Sequence, residues 1–450
     1  MRTANVILVL YKVIALCAIS LLYISCSKEE QQQTDVAAVQ IFNDPSSALV
    51  ARVVVSLNTS RTIKISCYNE NKQLVYNNVS FNKQTHNVSL LQLKEKTNYY
   101  IEVAVLDEKS EFSTIEKVNF TTAAIPSWVT DFYSPDLNKI NDPLNGYYLF
   151  ANMKSPGCIY MINSKGEIVW YKTTEAVVKS VHATPKGSVL AILDQNGTNF
   201  GDGNIVLETS LAGDTLFHLE YGKKGFDKWV HHDLAINPQG NIIAVTNTFQ
   251  GGFPGDGLVE WSSSGNKVWE WSTFDVQHEI DPNIQEQPWV NSVFIDHDGH
   301  YLLSLRALDQ VWKVHSSSGK VLWKLGKNGN IKMDQPIHFL RQHYAHRNHQ
   351  GELMLFDNGS DERPYSRVLS YTINEENLTG SISSITDLPK DNYSPIMGSA
   401  FLLPDNNILT ASSSSLTALK LDPLGNTLFK LKFKSPIYRI EYIPSSIFIK

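Results

Sequence analysis

A chain of 450 residues with 42 % hydrophobic and 10 % aromatic content can bury a sizeable core, and its length alone allows two or three domains. Its 25 glycines and 18 prolines are no excess, which excludes a fibrous or disordered class. The net charge of −6 argues against nucleic acid as a partner, because phosphate binding wants a basic surface; small anions stay open, since they need only a local site.

The first element is an apolar run, "VILVLYKVIALCAISLLYIS", that follows Arg2 and is interrupted by Lys12. From Val13 to Ile24 it has the length of a signal-peptide core and is short for a membrane span. It ends at Ser25-Cys26, which resembles a bacterial lipobox with Tyr23 in place of the usual Leu. That resemblance implies a signal peptide over 1–25, lipid on Cys26 and an acidic tether over 26–35, similar to the surface-export signal of Bacteroides lipoproteins. The folded part is therefore expected on the periplasmic or cell-surface side of the outer membrane, held there by lipid. Cys17 would leave with the signal, and Cys67 and Cys158 fall in different predicted domains, so no structural disulfide is expected.

From about Val36 the chain shows short alternating runs separated by turn residues, an all-β pattern with no long helical period. "ALVARVVVSLNTS", "RTIKISCYNE", "KQLVYNNVSF", "THNVSLLQL" and "NYYIEVAVLD" read as successive strands. "LLQLKEKTNYYIEVAVLD" resembles the fibronectin type III signature, so 36–124 is expected to be a small immunoglobulin-like or fibronectin-like β-sandwich. Residues 125–144 read as a linker, with Pro126, Pro135 and Pro143 blocking regular structure.

Residues 145–450 repeat. A turn glycine, a polar residue, two strand residues and an aromatic recur as "GEIVW", "GDTLF", "GNKVW", "GKVLW" and "GNTLF". Their glycines, 166, 213, 265, 319 and 425, lie 47, 52, 54 and 106 residues apart; the last gap holds a degenerate copy near Gly380. A strand–turn–strand motif follows each copy. Four strands per unit of about fifty residues, in six units, predict a six-bladed β-propeller. The terminal Trp or Phe of each copy is expected to pack between blades.

The innermost strand of a blade lines the central channel, and sites form where those strands begin. With the second motif aligned on its turn, at Gly240, Gly299, Gly351 and Asn406, the position eight residues earlier holds His232, Asn291, His343 and Gly398. Equivalent positions on separate blades bring these polar groups to one channel mouth. His182 is out of phase and reads as structural. His346 and His349 fall towards the turn and read as solvated. His231 is expected to point away from His232 if the strand alternates.

The segments "HHDLAINPQGN", "WVNSVFIDHDGHYLLSLR", "QHYAHRNHQGELMLFDNG" and "YSPIMGSAFLLPDNN" resemble the bacterial arylsulfate sulfotransferase family over nearly the whole chain. The resemblance implies an aryl-sulfate sulfotransferase, independent of PAPS, with His343 as nucleophile. The group passes from a phenolic sulfate donor to a phenolic acceptor through a sulfohistidine. Asn291, Arg306 and His232 match the family's site, with His231 beside them. Trp289 stands where the family has a histidine, and the family's threonine gives way near Gly398 or Ser399. A cysteine pair found near the nucleophile in some members is absent.

The residue types suit this chemistry on their own terms. A histidine neutral near pH 7 can take a sulfuryl group and pass it on. Arg306 can hold the developing oxygen charge through a forked contact, Asn291 can donate a hydrogen bond, and His232 can protonate the leaving phenolate. Trp289 can stack on an aromatic ring, and Ser399 is a further candidate substrate contact. No metal and no diffusible cofactor is required. Expected partners are the two phenolic substrates and the membrane through the lipid, without nucleic acid; a homodimer is the assembly kept in view. Two rival functions stand beside this one. One is a metal-dependent propeller lyase or hydrolase using His231, His232 and His343 as ligands. The other is a surface binding lipoprotein that kept the fold and lost the activity.

Overall fold

The computed structural model describes residues 36–136, 145–198, 202–276, 288–335 and 338–448. Cys26, the signal segment and the tether lie outside the described residues, so the lipidation site has no structural account here. The described chain is almost entirely β, as the sequence pattern requires.

The N-terminal unit is built on one 22-residue strand, Ser47–Tyr68. Its first half pairs with Val36–Asp44, its second half with Asn98–Leu106, and Leu74–Leu90 runs along both. Register breaks between Ser56 and Ile63 fold this continuous sheet back on itself. Alternate residues then face one interior: Ala51, Val53 and Val55 from the first half, Ile63, Ile65 and Cys67 from the second. Period-two patterning thus produces the two layers. This unit is docked on the rest of the chain. The Arg52 guanidinium donates to Asp214 Oδ1 (2.7 Å) and to the Ala212 carbonyl (2.7 Å), and the Ala48 N–H donates to the Tyr171 hydroxyl (2.7 Å).

Pro126 and Pro135 do not abolish regular structure. Ser127–Thr130 forms one helical turn after Pro126, and Tyr133–Pro135 adds to the outer edge of a sheet. Proline is tolerated at both places, at a helix start and on an edge strand, because no ladder donor is needed there.

The remainder forms, among the described residues, six antiparallel sheets of four or five strands. Their innermost long strands are Val177–Ala183, Val230–Ile236, Val290–Ile295, His343–Arg347, Ser399–Leu402 and Ile440–Pro444. Each touches the next, and Ile440–Pro444 touches Val177–Ala183, so the ring of inner strands closes. That ring makes the architecture a β-propeller. Closure uses both ends of the repeat region: Ile440–Pro444 pairs with Gly146–Ala151, the first strand of the region.

The second strands are buried on both faces, as in Ser188–Asp194, because each sheet is sandwiched between two others. The repeat aromatics wedge the seams. Trp170, Phe217, Trp323 and Phe429 are buried, and Trp269 is partly buried with its indole N–H on the Ser317 carbonyl (3.2 Å). Cys67 and Cys158 are free thiols in separate cores.

Candidate functional site

Inner strands that should run straight are broken at their starts. Register shifts fall between Val178 and Ser180, Val230 and Leu234, Val290 and Ser292, and His343 and His346. Left-handed backbone gathers at the same level: Trp289 (φ 53°), His232 (59°), Tyr344 (52°) and Met397 (56°). Such conformations cost roughly 1–2 kcal/mol each for non-glycine residues. Bulges and strain concentrated at one end of a channel re-aim side chains, and here they aim them inward.

His343 begins its strand and is 3 % exposed. Its Nδ1 lies 2.7 Å from Asn358 Oδ1. Asn358 has no freedom to turn, because its amide N–H groups donate to the carbonyls of Ser394 and Met397, both at 2.7 Å. Its oxygen must therefore face His343, so the imidazole carries its proton on Nδ1. The lone pair is left on Nε2, where it accepts from the Met397 backbone N–H at 3.2 Å. Burial, with the Arg306 charge added, pushes His343 down to about 3. The side chain is thus neutral near pH 7, with its unprotonated nitrogen on the Met397 N–H.

Arg306 closes the strand after Asn291 and is also buried. Its guanidinium lies over the Trp289 ring, 4.7 Å from the centroid, and donates to the Pro395 carbonyl (3.3 Å). Trp289 in turn donates its indole N–H to His232 Nε2 (3.3 Å). His232 Nδ1 meets His231 Nδ1 at 2.8 Å, and His231 Nε2 lies 3.1 Å from Asp256 Oδ1. With Trp289 as a pure donor to His232 Nε2, one proton arrangement follows for the two imidazoles. His232 donates from Nδ1 to His231, and His231 keeps its proton on the Nε2 that faces Asp256. Asp256 is anchored by the Val290 N–H (2.7 Å). Burial, and then the neighbouring His231, holds His232 well below its usual value.

These contacts correct one expectation. His231 does not point away from His232; the rings meet edge to face at 4.8 Å, because the left-handed His232 backbone breaks strand alternation. Two other predicted residues hold the frame. Asn291 is wholly buried and donates to the Gln342 carbonyl (2.7 Å), the residue before His343, while its own carbonyl accepts from the Tyr438 hydroxyl (2.8 Å). Ser399 is buried and clasps the next inner strand through the Ile440 N–H (3.2 Å). His343, Arg306, Trp289, His232 and His231 thus share the mouth, whereas Asn291 and Ser399 tie strands together.

His346 is not solvated. It is buried, packed with tilted rings against Tyr344 (4.6 Å) and Phe401 (5.2 Å), and burial pushes it down to about 4. The two-residue bulge after His343 turns it inward. His349 is exposed, as expected. His182 is structural and belongs to a buried ionic cluster deeper in the channel. It ion-pairs with Asp233 (2.6 Å) and Glu441, and Arg439 sits 2.9 Å from Asp233 and over the Tyr344 ring (3.8 Å). Burial works against the His182 proton, but the Glu441 and Asp233 carboxylates outweigh it and raise the group to about 9. Asp357 holds Arg363 and Arg367, so those arginines fix the loop beside Asn358.

Sequence reasoning missed Asn358, Met397, Asp256 and Arg439. Asn358 carried a signal in the "FDNG" that ends the nucleophile segment. Arg439 carried none, since its strand has no following turn on which to align it. Among the described residues no group of three or more His, Cys, Asp or Glu side chains is placed to hold a metal. His231 and His232 direct their nitrogens at each other, and His343 directs its own at Asn358 and Met397.

A closed ring of β-sheets, with a buried, neutral histidine and an arginine where its inner strands begin, defines a β-propeller. The arylsulfotransferase (ASST) family model matches residues 134–428, and the chain belongs to that family. It is thereby a sulfotransferase. No curated protein matches the chain. Among solved structures, a protein of unknown function from Bacteroides caccae aligns with 15 % identity, over 66 % of this chain and 99 % of that one, at a TM-score of 0.45. A catalytically inactive virginiamycin B lyase from Staphylococcus aureus with quinupristin aligns with 12 % identity, over 70 % and 89 %, at 0.35. A streptogramin B lyase aligns with 14 % identity, over 68 % and 99 %, at 0.36.

Proposed function

We propose that the protein moves a sulfuryl group from a phenolic sulfate ester to a phenolic acceptor through a sulfated His343, without PAPS. The observation that carries this reading is the His343–Asn358 pair. It holds a neutral imidazole with its lone pair on Nε2, the form a sulfuryl acceptor needs. In the first step Nε2 attacks sulfur, the S–O bond to the phenol breaks, and the phenolate leaves with the electron pair. In the second step an acceptor phenol loses its proton, its oxygen attacks sulfur, and the N–S bond breaks to regenerate His343.

Two donors are available for the oxygen charge that this step develops. Arg306 carries the positive charge, and the Met397 N–H, which points at Nε2, is released to a sulfuryl oxygen once that lone pair bonds to sulfur. Proton traffic falls to His232. It is neutral in the described state, so its acid role requires an anionic substrate to raise its proton affinity, with Asp256 acting through His231 to support the cation. Asn291 positions His343 through Gln342. Trp289 offers an aromatic face beside the reacting group, which suits a phenyl ring. The lipid anchor at Cys26 and a position outside the cytoplasm complete the reading, on the strength of the leader sequence.

The test is incubation with 4-nitrophenyl sulfate, with and without a phenol. Phenol-dependent release of 4-nitrophenol is the expected result. No release with any phenol would favour the binding-lipoprotein reading, to which the Trp289 contact on His232 Nε2 lends support.

A further inference from the structure

The site at the mouth uses the starts of the inner strands. Their other ends line a separate cavity of about 580 Å³. Its walls include Leu234, Val293, Phe294, Phe401 and Ile443, with Tyr344, His182 and Glu441 at its polar end. The buried Arg439–Asp233–His182 cluster lies between the two ends of the channel. We propose that this cavity binds an uncharged aromatic molecule that presents one hydrogen-bond acceptor to the Tyr344 hydroxyl.

Each part of that description follows from the residues. The volume suits a small molecule of two or three rings. The walls are apolar and include the half-buried rings of Phe294 and Phe401, which suits an aromatic ligand, while the Tyr344 ring itself lies under Arg439 (3.8 Å) and against His346 (4.6 Å). The ionic cluster at the polar end balances internally: Asp233 and Glu441 are matched by Arg439 and by His182, which those carboxylates keep protonated. A charged ligand would enter an apolar cavity with no counter-charge to meet it. Tyr344 is buried, and its hydroxyl has no hydrogen-bond partner among the described residues. Burial and the Glu441 charge keep that hydroxyl protonated, so it is a donor in want of an acceptor.

The probe is 6-propionyl-2-(dimethylamino)naphthalene, an uncharged aryl ketone whose emission shifts to the blue in apolar surroundings. It has no hydroxyl to accept a sulfuryl group, so its binding is read without turnover. Saturable one-to-one binding is expected, unchanged by saturating 4-nitrophenyl sulfate. Tyr344→Phe keeps the ring and removes the donor, and should weaken binding about threefold to tenfold. Ala235→Phe, in the wall, and Ser446→Trp, at the exposed rim, should each abolish it. Displacement by 4-nitrophenyl sulfate, or full binding in both filling variants, would overturn the proposal. So would equal affinity in Tyr344→Phe for the specified ligand class.

Discussion

His343 owes its properties to what surrounds it. Nearly complete burial removes the cost-free protonated state, and Asn358 selects the tautomer. Asn358→Ala removes the 2.7 Å acceptor of the Nδ1 proton, leaves it only the Arg341 carbonyl at 3.2 Å, and loosens the ring. On the scale of a lost buried hydrogen bond, kcat should fall roughly 10- to 100-fold with KM less affected, which steady-state kinetics on an aryl sulfate would show. Arg306→Ala should lower kcat by roughly a hundredfold or more, because its charge is needed most when oxygen charge develops. Trp289→His restores the residue found in the resembling family and removes the indole from His232. A rise in transfer rate marks Trp289 as a brake on sulfate binding; a fall marks it as part of the acceptor's own contact.

The same burial sets a pH dependence with a definite sign. An unfolded histidine binds its proton near pH ~6.5. Native His343 resists protonation down to about 3 and His346 down to about 4, so the unfolded chain binds more protons in that window. Stability should therefore fall as pH drops below about 6.5. His182 acts in the opposite sense: its contribution is complete below the unfolded value and is lost as pH rises towards about 9. Thermal melts across pH would show the acid limb flatten in His346→Phe. An unchanged acid limb in that variant would remove His346 from the account.

At the scale of elements, the site depends on interrupted strands. Gly398 has φ 108°, and a Cβ there would meet the Phe356 ring at 2.7 Å. Gly398→Ala should therefore shift the Met397 amide away from His343 Nε2, and transfer should drop more than stability does, measured by kinetics beside thermal melts. The repeat phase made part of this legible in advance. Position eight before the turn named His232, Asn291 and His343 because a bladed sheet places equivalent residues at equivalent depths. The phase could not show what a bulge does. His231 is expected to face away because strands alternate, and His346 to be solvated because it falls towards the turn; the left-handed residues 232 and 344 break the alternation, and His346 lies within the strand. Asn291 and Ser399 shared the phase, yet their side chains bind backbone between strands. Phase reports depth along the channel and not which way a side chain turns.

At the scale of the whole molecule, the six sheets formed by the described residues of the repeat region pack face to face through the repeat aromatics, and the ring is shut by pairing the last strand to the first of that region. Trp323 is buried in the seam between two sheets, and Trp323→Ala should cost about 3–5 kcal/mol of stability, read from denaturant unfolding. The degenerate copy near Gly380 has no aromatic at that place; exposed Ser384 occupies it, and Ile382 packs partly inward instead. The all-β class and the repeat were plain from turn glycines and wedge aromatics. Closure was not, because Ile440–Pro444 carries no turn after it and so no repeat signature. That strand brings Arg439 and Glu441 under the site, which is why the buried ionic cluster escaped notice.

The central claim is that His343 carries the sulfuryl group between donor and acceptor. Mass spectrometry of peptides from protein quenched during incubation with 4-nitrophenyl sulfate, without acceptor, tests it most directly. The account predicts one added sulfuryl group on His343 Nε2, lost when a phenol is supplied and absent from His343→Ala. Turnover of the ester with His343 unmodified at every time point, or undiminished transfer by His343→Ala, would contradict it.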